Sequence, residues 1–201
     1  MKPSLTGHPM RIAAALHSFL LAVLLAASGG SALADEAGWA ALAKPGAIVL
    51  FRHATAPGVG DPADMQIGVC ATQRNLDERG RAESRRLGQL FRERGVRVQS
   101  VLHSQWCRTR DTARLAFEGI APVREEPIFN SFFSRPGDVD RQTIAARALL
   151  KEWKGPGVLV VVTHQVNITQ LTGEVPSSAD GLVVRVPAGA GPLEVVGRVA
   201  P

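Results

Sequence analysis

Short apolar runs alternate along this chain with longer polar stretches in which apolar residues return every third or fourth position. Residues 46–51, Gly-Ala-Ile-Val-Leu-Phe, and 157–163, Gly-Val-Leu-Val-Val-Val-Thr, are continuous and aliphatic, as strands buried on both faces are. Residues 96–102 alternate in part and read as another strand, and 181–186 with 193–199 read as closing strands. Between them lie helical patterns. Asp77 is an N-cap candidate for a helix running to about Arg94, with Leu87, Leu90 and Phe91 on one face and Gly95 as the stop. Residues 106–117 and 166–171 also read as helical. Over 140–153, Ala145, Ala148, Leu149 and Trp153 recur at helical spacing. Residues 54–75, rich in Gly, Pro and Asp, form a long loop of the kind that serves a site, and 121–137 is irregular. The alternation predicts a single α/β domain: a three-layer sandwich with a mostly parallel central sheet flanked by helices.

The first 34 residues do not fit this alternation. Lys2 and Arg11 make a basic leader, residues 19–27 are apolar and uncharged, and Ala32-Leu33-Ala34 is a small-x-small cleavage signature. The apolar run is shorter than the ~20 residues a membrane-spanning helix needs. The expected organisation is a cleaved secretory signal over 1–34 and a domain over 35–201, periplasmic or secreted, with no stable membrane insertion after cleavage. Without the leader, the formal charge falls from +5 to +3. No basic run with interleaved aromatics accompanies this mild excess, so nucleic acid is not an expected partner. Cys70 and Cys107 are the only cysteines. In an exported chain such a pair suits a disulfide, but two buried thiols fit the sequence as well.

The chemistry gathers at strand ends. Arg52-His53 follows the first aliphatic run and His164 the second, and ligands of open α/β sheets bind outside the carboxyl ends of strands. A histidine that attacks phosphorus must be neutral, and cations must surround it to neutralise the phosphoryl oxygens. Nearby arginines serve both needs, because they disfavour the imidazolium. Arg52 and Arg108 are the candidates.

Four segments in order resemble the histidine phosphatase superfamily, also called phosphoglycerate-mutase-like, and most nearly its short phosphohistidine-phosphatase-type subgroup in an exported form. They are Arg52-His53-Ala54; Arg74-Asn75-Leu76-Asp77-Glu78-Arg79-Gly80; Ser104-Gln105-Trp106-Cys107-Arg108-Thr109-Arg110-Asp111-Thr112-Ala113; and Thr163-His164. The resemblance implies that His53 becomes phosphohistidine and that Arg52, Arg108 and His164 hold the phosphoryl oxygens, with Arg74 at the rim of the substrate site. It implies no cofactor and no metal. A site built on His53, His103 and His164 would place a cation among arginines, which repel it. His103 reads more readily as packing at a strand end. Trp106 and Phe132-Phe133 suit either the substrate entrance or the core.

The chain departs from the family at the proton donor. Where one branch has glutamate, residues 128–133 read Ile-Phe-Asn-Ser-Phe-Phe; where another has aspartate after the second histidine, Gln165 stands. Glu126, Asp61 and Asp111 are the substitutes within sequence reach. The expected function is an exported phosphatase acting on a phosphorylated small molecule or envelope component. The alternatives are a non-catalytic periplasmic module binding phosphate or a phosphorylated glycan, and a phosphomutase, for which the chain lacks the usual insertions and acid. Oligomeric state and substrate identity are not legible.

Overall fold

The computed structural model describes residues 29–189 and 191–201, with side chains from Glu36 onward. The expected leader thus lies outside the described residues, save for the backbone of 29–34. Residues 35–201 form one unit, and the fold described below is that of this unit.

The elements run α1 (Gly29–Leu42), β1 (Ile48–Arg52), α2 (Glu78–Glu93), β2 (Val98–His103), α3 (Cys107–Phe117), β3 (Val123–Glu125), α4 (Val139–Glu152), β4 (Val158–Thr163), α5 (Gln165–Thr172), β5 (Gly181–Arg185) and β6 (Glu194–Val199). The six strands form one sheet in the order β3-β2-β4-β1-β5-β6. β1 and β2 both pair parallel to β4, and β3 parallel to β2. β5 runs antiparallel to β1 and to β6. β4 is buried at every position, which is why its sequence does not alternate.

Two apolar layers cover the sheet. On one face Val49, Phe51, Val160 and Val162 pack with Trp39 and Leu42 of α1, Leu87 and Phe91 of α2, and Phe117 of α3. Phe91 is the hinge of this layer, edge-on to Trp39 at 5.2 Å and to Phe117 at 5.1 Å. On the other, Ile48, Leu50, Leu159 and Val161 pack with Leu150 of α4 and Ile168 and Leu171 of α5. This is the expected single α/β domain with a mostly parallel sheet.

Three local features differ from the sequence reading. α1 was not expected beyond the leader; burial of Trp39 and Leu42 anchors its second half. β3 was read as irregular, because three residues, Val123 half-buried and the other two exposed, are too few to carry a strand pattern. The inward face of α4 is Ala146 and Leu150, one position on from the expected stripe, and Ala148 is exposed. Leu149 and Trp153 still pack beside that core from its edge.

Candidate active site

Because β2, β4 and β1 are parallel neighbours, their carboxyl ends deliver His103-Ser104, Thr163-His164 and Arg52-His53 to one edge of the sheet. The backbone stitches that edge together: His53 N donates to Thr163 O (2.9 Å) and Ser104 N to Val162 O (3.2 Å). A cavity of about 200 Å³ opens there, lined by Arg52, His53, Gly58, Val59, Gly60, Asp61, Arg74, Arg108, Ser131, Phe133, His164, Gln165 and Val166. A larger concavity, about 640 Å³, lies at the amino end of β1 against Lys44 and Trp153 and contains no histidine. Chemistry therefore favours the smaller one.

His53 is 3% exposed, and its Nδ1 lies 2.8 Å from Ala54 O. A carbonyl only accepts, so Nδ1 carries the proton and Nε2 keeps its lone pair. Burial first, then Arg108, and less strongly Arg74 and Arg52, lower the His53 pKa from 6.5 to about 3, against an opposing pull from the Ala54 bond. His53 is thus a neutral imidazole with one free nitrogen.

His164, also 3% exposed, lies with its ring 5.6 Å from that of His53. Burial and Arg108 hold its pKa well below the usual value. Its Nδ1 faces Arg108 Nη2 at 3.5 Å, and its Nε2 meets Ser104 Oγ at 2.7 Å. A lone pair toward the guanidinium and an N–H toward the hydroxyl is the tautomer that suits both neighbours. Ser104 Oγ in turn meets Thr109 Oγ1 at 2.7 Å, and Thr109 donates to the carbonyls of Ser104 and Trp106.

The spacing Ser104, Arg108, Thr112 now has a physical meaning. Ser104 holds His164, Arg108 enters the pocket, and Thr112 Oγ1 accepts from Ala54 N (3.0 Å) while donating to Arg108 O (2.7 Å). That hydroxyl ties α3 to the residue after the nucleophile candidate. Gly80 serves the same end from α2: a Cβ there would lie 2.0 Å from Thr55 O, so only glycine lets the helix approach this backbone. Asp77 caps α2 by accepting from Gly80 N at 2.8 Å.

The loop supplies the outer wall. Arg74 donates through Nε to Gly60 O (2.8 Å) and through Nη1 to Ala56 O. Asp61 receives Arg108 Nη1 (2.5 Å) and Nη2 (3.1 Å) on its two oxygens, and Trp106 Nε1 at 2.9 Å. Burial alone would raise the Asp61 carboxyl, but Arg108, Trp106 and Arg74 outweigh it and hold the pKa below its usual value. A disulfide joins Cys70 of this loop to Cys107 at the start of α3, one residue before Arg108.

Of the expected residues, Arg52, His53, Arg74, Arg108 and His164 converge on the cavity. Trp106 is buried, with its ring edge-on to His164 at 5.1 Å; Phe132 is buried as well, and Phe133 is 60% exposed at the cavity rim. His103 turns its Nδ1 onto Ser104 O and lines no part of the cavity. Among the three substitute acids, Glu126 caps a turn through Ile128 N, Asp111 pairs with Arg110, and Asp61 alone reaches the cavity. Asn130, near where one branch has its glutamate, is tied at both ends of its amide to Gln105. Sequence reasoning missed Ser104 as the partner of His164 and Asp61 as the partner of Arg108. A fixed place in a motif hinted at the first; nothing local marked the second.

Among the described residues, no cluster of three or more His, Cys, Asp or Glu could hold a metal ion, and no helix is long and apolar enough to cross a membrane. The profile of the histidine phosphatase superfamily (branch 1) matches residues 48–132, from β1 to Phe132. That match spans three of the four motif segments, from Arg52-His53-Ala54 to Ala113. No curated protein matches it in sequence.

Among solved structures, the product of open reading frame Rv3214 from Mycobacterium tuberculosis is 20% identical with a TM-score of 0.54, covering 77% of this chain and 97% of that one. The protein histidine phosphatase SixA, complexed with tungstate, is 20% identical at TM-score 0.50, with 77% and 97% covered. The mycobacterial glucosyl-3-phosphoglycerate phosphatase Rv2419c, complexed with VO3, is 17% identical at TM-score 0.51, with 69% and 90% covered. At these identities the likeness is one of fold.

Proposed function

We propose that this protein is an exported, metal-independent phosphatase that hydrolyses a phosphorylated small molecule or envelope component through phosphohistidine at His53. The observation that carries the reading is the His53 ring: Nδ1 is committed to Ala54 O, which leaves Nε2 as a lone pair in a cavity shared with Arg52, Arg108 and His164. Nε2 attacks phosphorus as the bond to the leaving oxygen breaks. Water then attacks the phosphohistidine, the N–P bond breaks, and inorganic phosphate leaves. Arg52 and Arg108 offset the charge on the phosphoryl oxygens. His164 contributes once Nδ1 carries a proton, which an incoming dianion favours. Two fold relatives carry oxyanions, tungstate with the tetrahedral shape of phosphate and VO3 with the three oxygens of a phosphoryl group, in keeping with an anion-binding fold.

Export rests on the leader over 1–34 and suits the Cys70–Cys107 disulfide. Export also separates the protein from cytoplasmic phosphohistidine proteins, so substrates of the envelope are favoured. The mature protein should turn over p-nitrophenyl phosphate without added metal and in the presence of chelators. Rapid quenching should trap an acid-labile, alkali-stable phosphoryl group on the peptide containing His53; label found only elsewhere would sink the nucleophile assignment. A second reading, a non-catalytic phosphate-binding module, draws on one observation: Asn130 and Gln165 stand where the superfamily's usual acids fall. Tight orthophosphate binding without turnover would favour it.

A further inference from the structure

Arg108 has five N–H hydrogens. Nη1 is within reach of Asp61 Oδ1 and, at 3.4 Å, of Arg74 O; Nη2 is within reach of Asp61 Oδ2 and of His164 Nδ1. Only Nε has no partner, and it is buried. Arg108 itself is 3% exposed. The most buried arginine of the cavity is therefore already clamped by a carboxylate. A phosphoryl group cannot take the end of that guanidinium while Asp61 holds it.

Arg52 Nε is likewise buried without a partner. Two arginines that flank His53 each keep an unsatisfied donor, which is what a pocket lacking its anion would show. Asp61 is also the only carboxylate among the residues lining the cavity. It lies next to Gly60 and three residues beyond Gly58, both at positive φ (+70° and +93°), and Val59 between them is 93% exposed. The segment is a surface tip, and a change of Asp61 rotamer suffices to release Arg108.

We propose that Asp61 is a catalytic residue: the arriving phosphoryl group displaces it from Arg108, and the released carboxyl then donates the proton to the leaving oxygen. This rests on the phosphatase reading above. At rest, Asp61 faces Arg108 and Trp106 from α3 and its lead-in and Arg74 from its own loop, with Arg52, His53 and His164 across the cavity. Those cations keep it ionised. Once a dianion occupies Arg108, Asp61 has lost its partner and faces two negative charges, so its protonated form is favoured. The proton taken from solvent on binding passes to the leaving oxygen as the P–O bond breaks. Asp61 is left as the carboxylate, and the phosphoryl group remains on His53. The water that later attacks phosphohistidine returns its proton to Asp61. The carboxylate thus alternates between counter-ion and acid, and no separate donor is required.

The test is a series of aryl and alkyl phosphates with Asp61→Asn, whose amide keeps size but cannot donate an acidic proton. kcat/KM for p-nitrophenyl phosphate, which reports only the formation of phosphohistidine and whose leaving group needs little protonation, should fall least. kcat/KM for alkyl phosphates should fall roughly 10²- to 10⁴-fold, the usual worth of general acid catalysis, while kcat falls on every substrate to the extent that hydrolysis of phosphohistidine limits it. Orthophosphate affinity, read by calorimetry, should hold or tighten, because a competing anion has gone. The parent alone supplies a check free of folding effects: kcat on alkyl phosphates should show a basic limb that p-nitrophenyl phosphate lacks. An equal loss of kcat/KM on every substrate, no loss on any, or weakened orthophosphate binding would each overturn the assignment. Failure of the parent to turn over p-nitrophenyl phosphate would instead overturn the phosphatase reading, and the orthophosphate affinity of Asp61→Asn would still decide whether Asp61 competes for Arg108.

Discussion

The cavity has two walls built on different principles. The inner wall is made of strand ends, with Arg52, His53 and His164 set side by side by the pairing of β1 and β4, and Ser104 at the end of β2 holding His164 from behind. Backbone hydrogen bonds fix its register, and both faces of the sheet are packed. The outer wall is the loop from Thr55 to Asn75, which carries Asp61 and Arg74. Side chains hold it: Arg74 on loop carbonyls, Asp61 on Arg108 and Trp106, Gln73 on Cys107 N, and the Cys70–Cys107 bridge. The inner wall resists displacement because moving one strand end breaks the sheet. The outer wall can exchange one partner for another, and that is where a carboxylate can serve at rest as counter-ion and in turnover as acid.

The comparison is broken most severely at the inner wall. His53→Ala should abolish turnover, a loss of roughly 10⁴-fold or more for a nucleophile, with circular dichroism unchanged. Where the walls meet, Arg108→Ala should cost about 10²- to 10³-fold in kcat/KM, as loss of an electrostatic donor does. Arg108→Lys should recover little, since an ammonium lacks the planar fork. Arg110→Ala supplies the control: Arg110 pairs with Asp111 away from the cavity, so turnover should stay within about three-fold, as for an ordinary surface change. An active Arg108→Ala beside a dead Arg110→Ala would show that the cavity is not where the anion binds.

The outer wall should respond more mildly. Cys70→Ser, or reduction of the bridge, should cost about 2–4 kcal/mol in stability, the usual range for a bridge closing a loop of this order. Orthophosphate affinity should then drop a few-fold while His53 still forms its phosphoryl adduct. Equal loss of adduct and affinity would mean that the two walls are one unit.

The smallest effect is a pH slope. His53 titrates near 6.5 when unfolded and near 3 in the fold, so between these values the unfolded chain binds more protons. Stability should therefore rise with pH across that window, and acidification from 6.5 toward 3 should lower Tm. His53→Asn should flatten the slope without removing it, because His164 shifts in the same direction.

Local pattern carried much of this fold. Continuous Val-Leu-Val-Val-Val between turn residues reads as a strand buried on both faces, as it is, and Asp77 with Gly95 bracketed α2 to within a residue or two. Where the pattern was thin, the reading slipped: β3 is too short for a period, and the stripe of α4 moved by one position because alanine and leucine stand on both sides of its boundary. The candidate site divides in the same way. Arg52, His53, Arg108 and His164 were legible because each sits at a fixed offset from a strand or within a spaced motif.

What the sequence determined by itself was therefore the kind of chemistry: a histidine at a strand end among arginines, an α/β layer to carry it, and the absence of the usual acid. These are properties of neighbours in the chain, written in periodicity and spacing. What only the tertiary structure decided was partnership across long separations. Asp61 meets Arg108 across 47 residues and Ser104 meets His164 across 60. A hydrogen bond of this kind depends on where two backbones are brought by the packing of everything between them, and no local spacing encodes it. The sequence held three substitute acids in equal standing; the fold brought one of them to the cavity and set it on the arginine that a phosphoryl group would need.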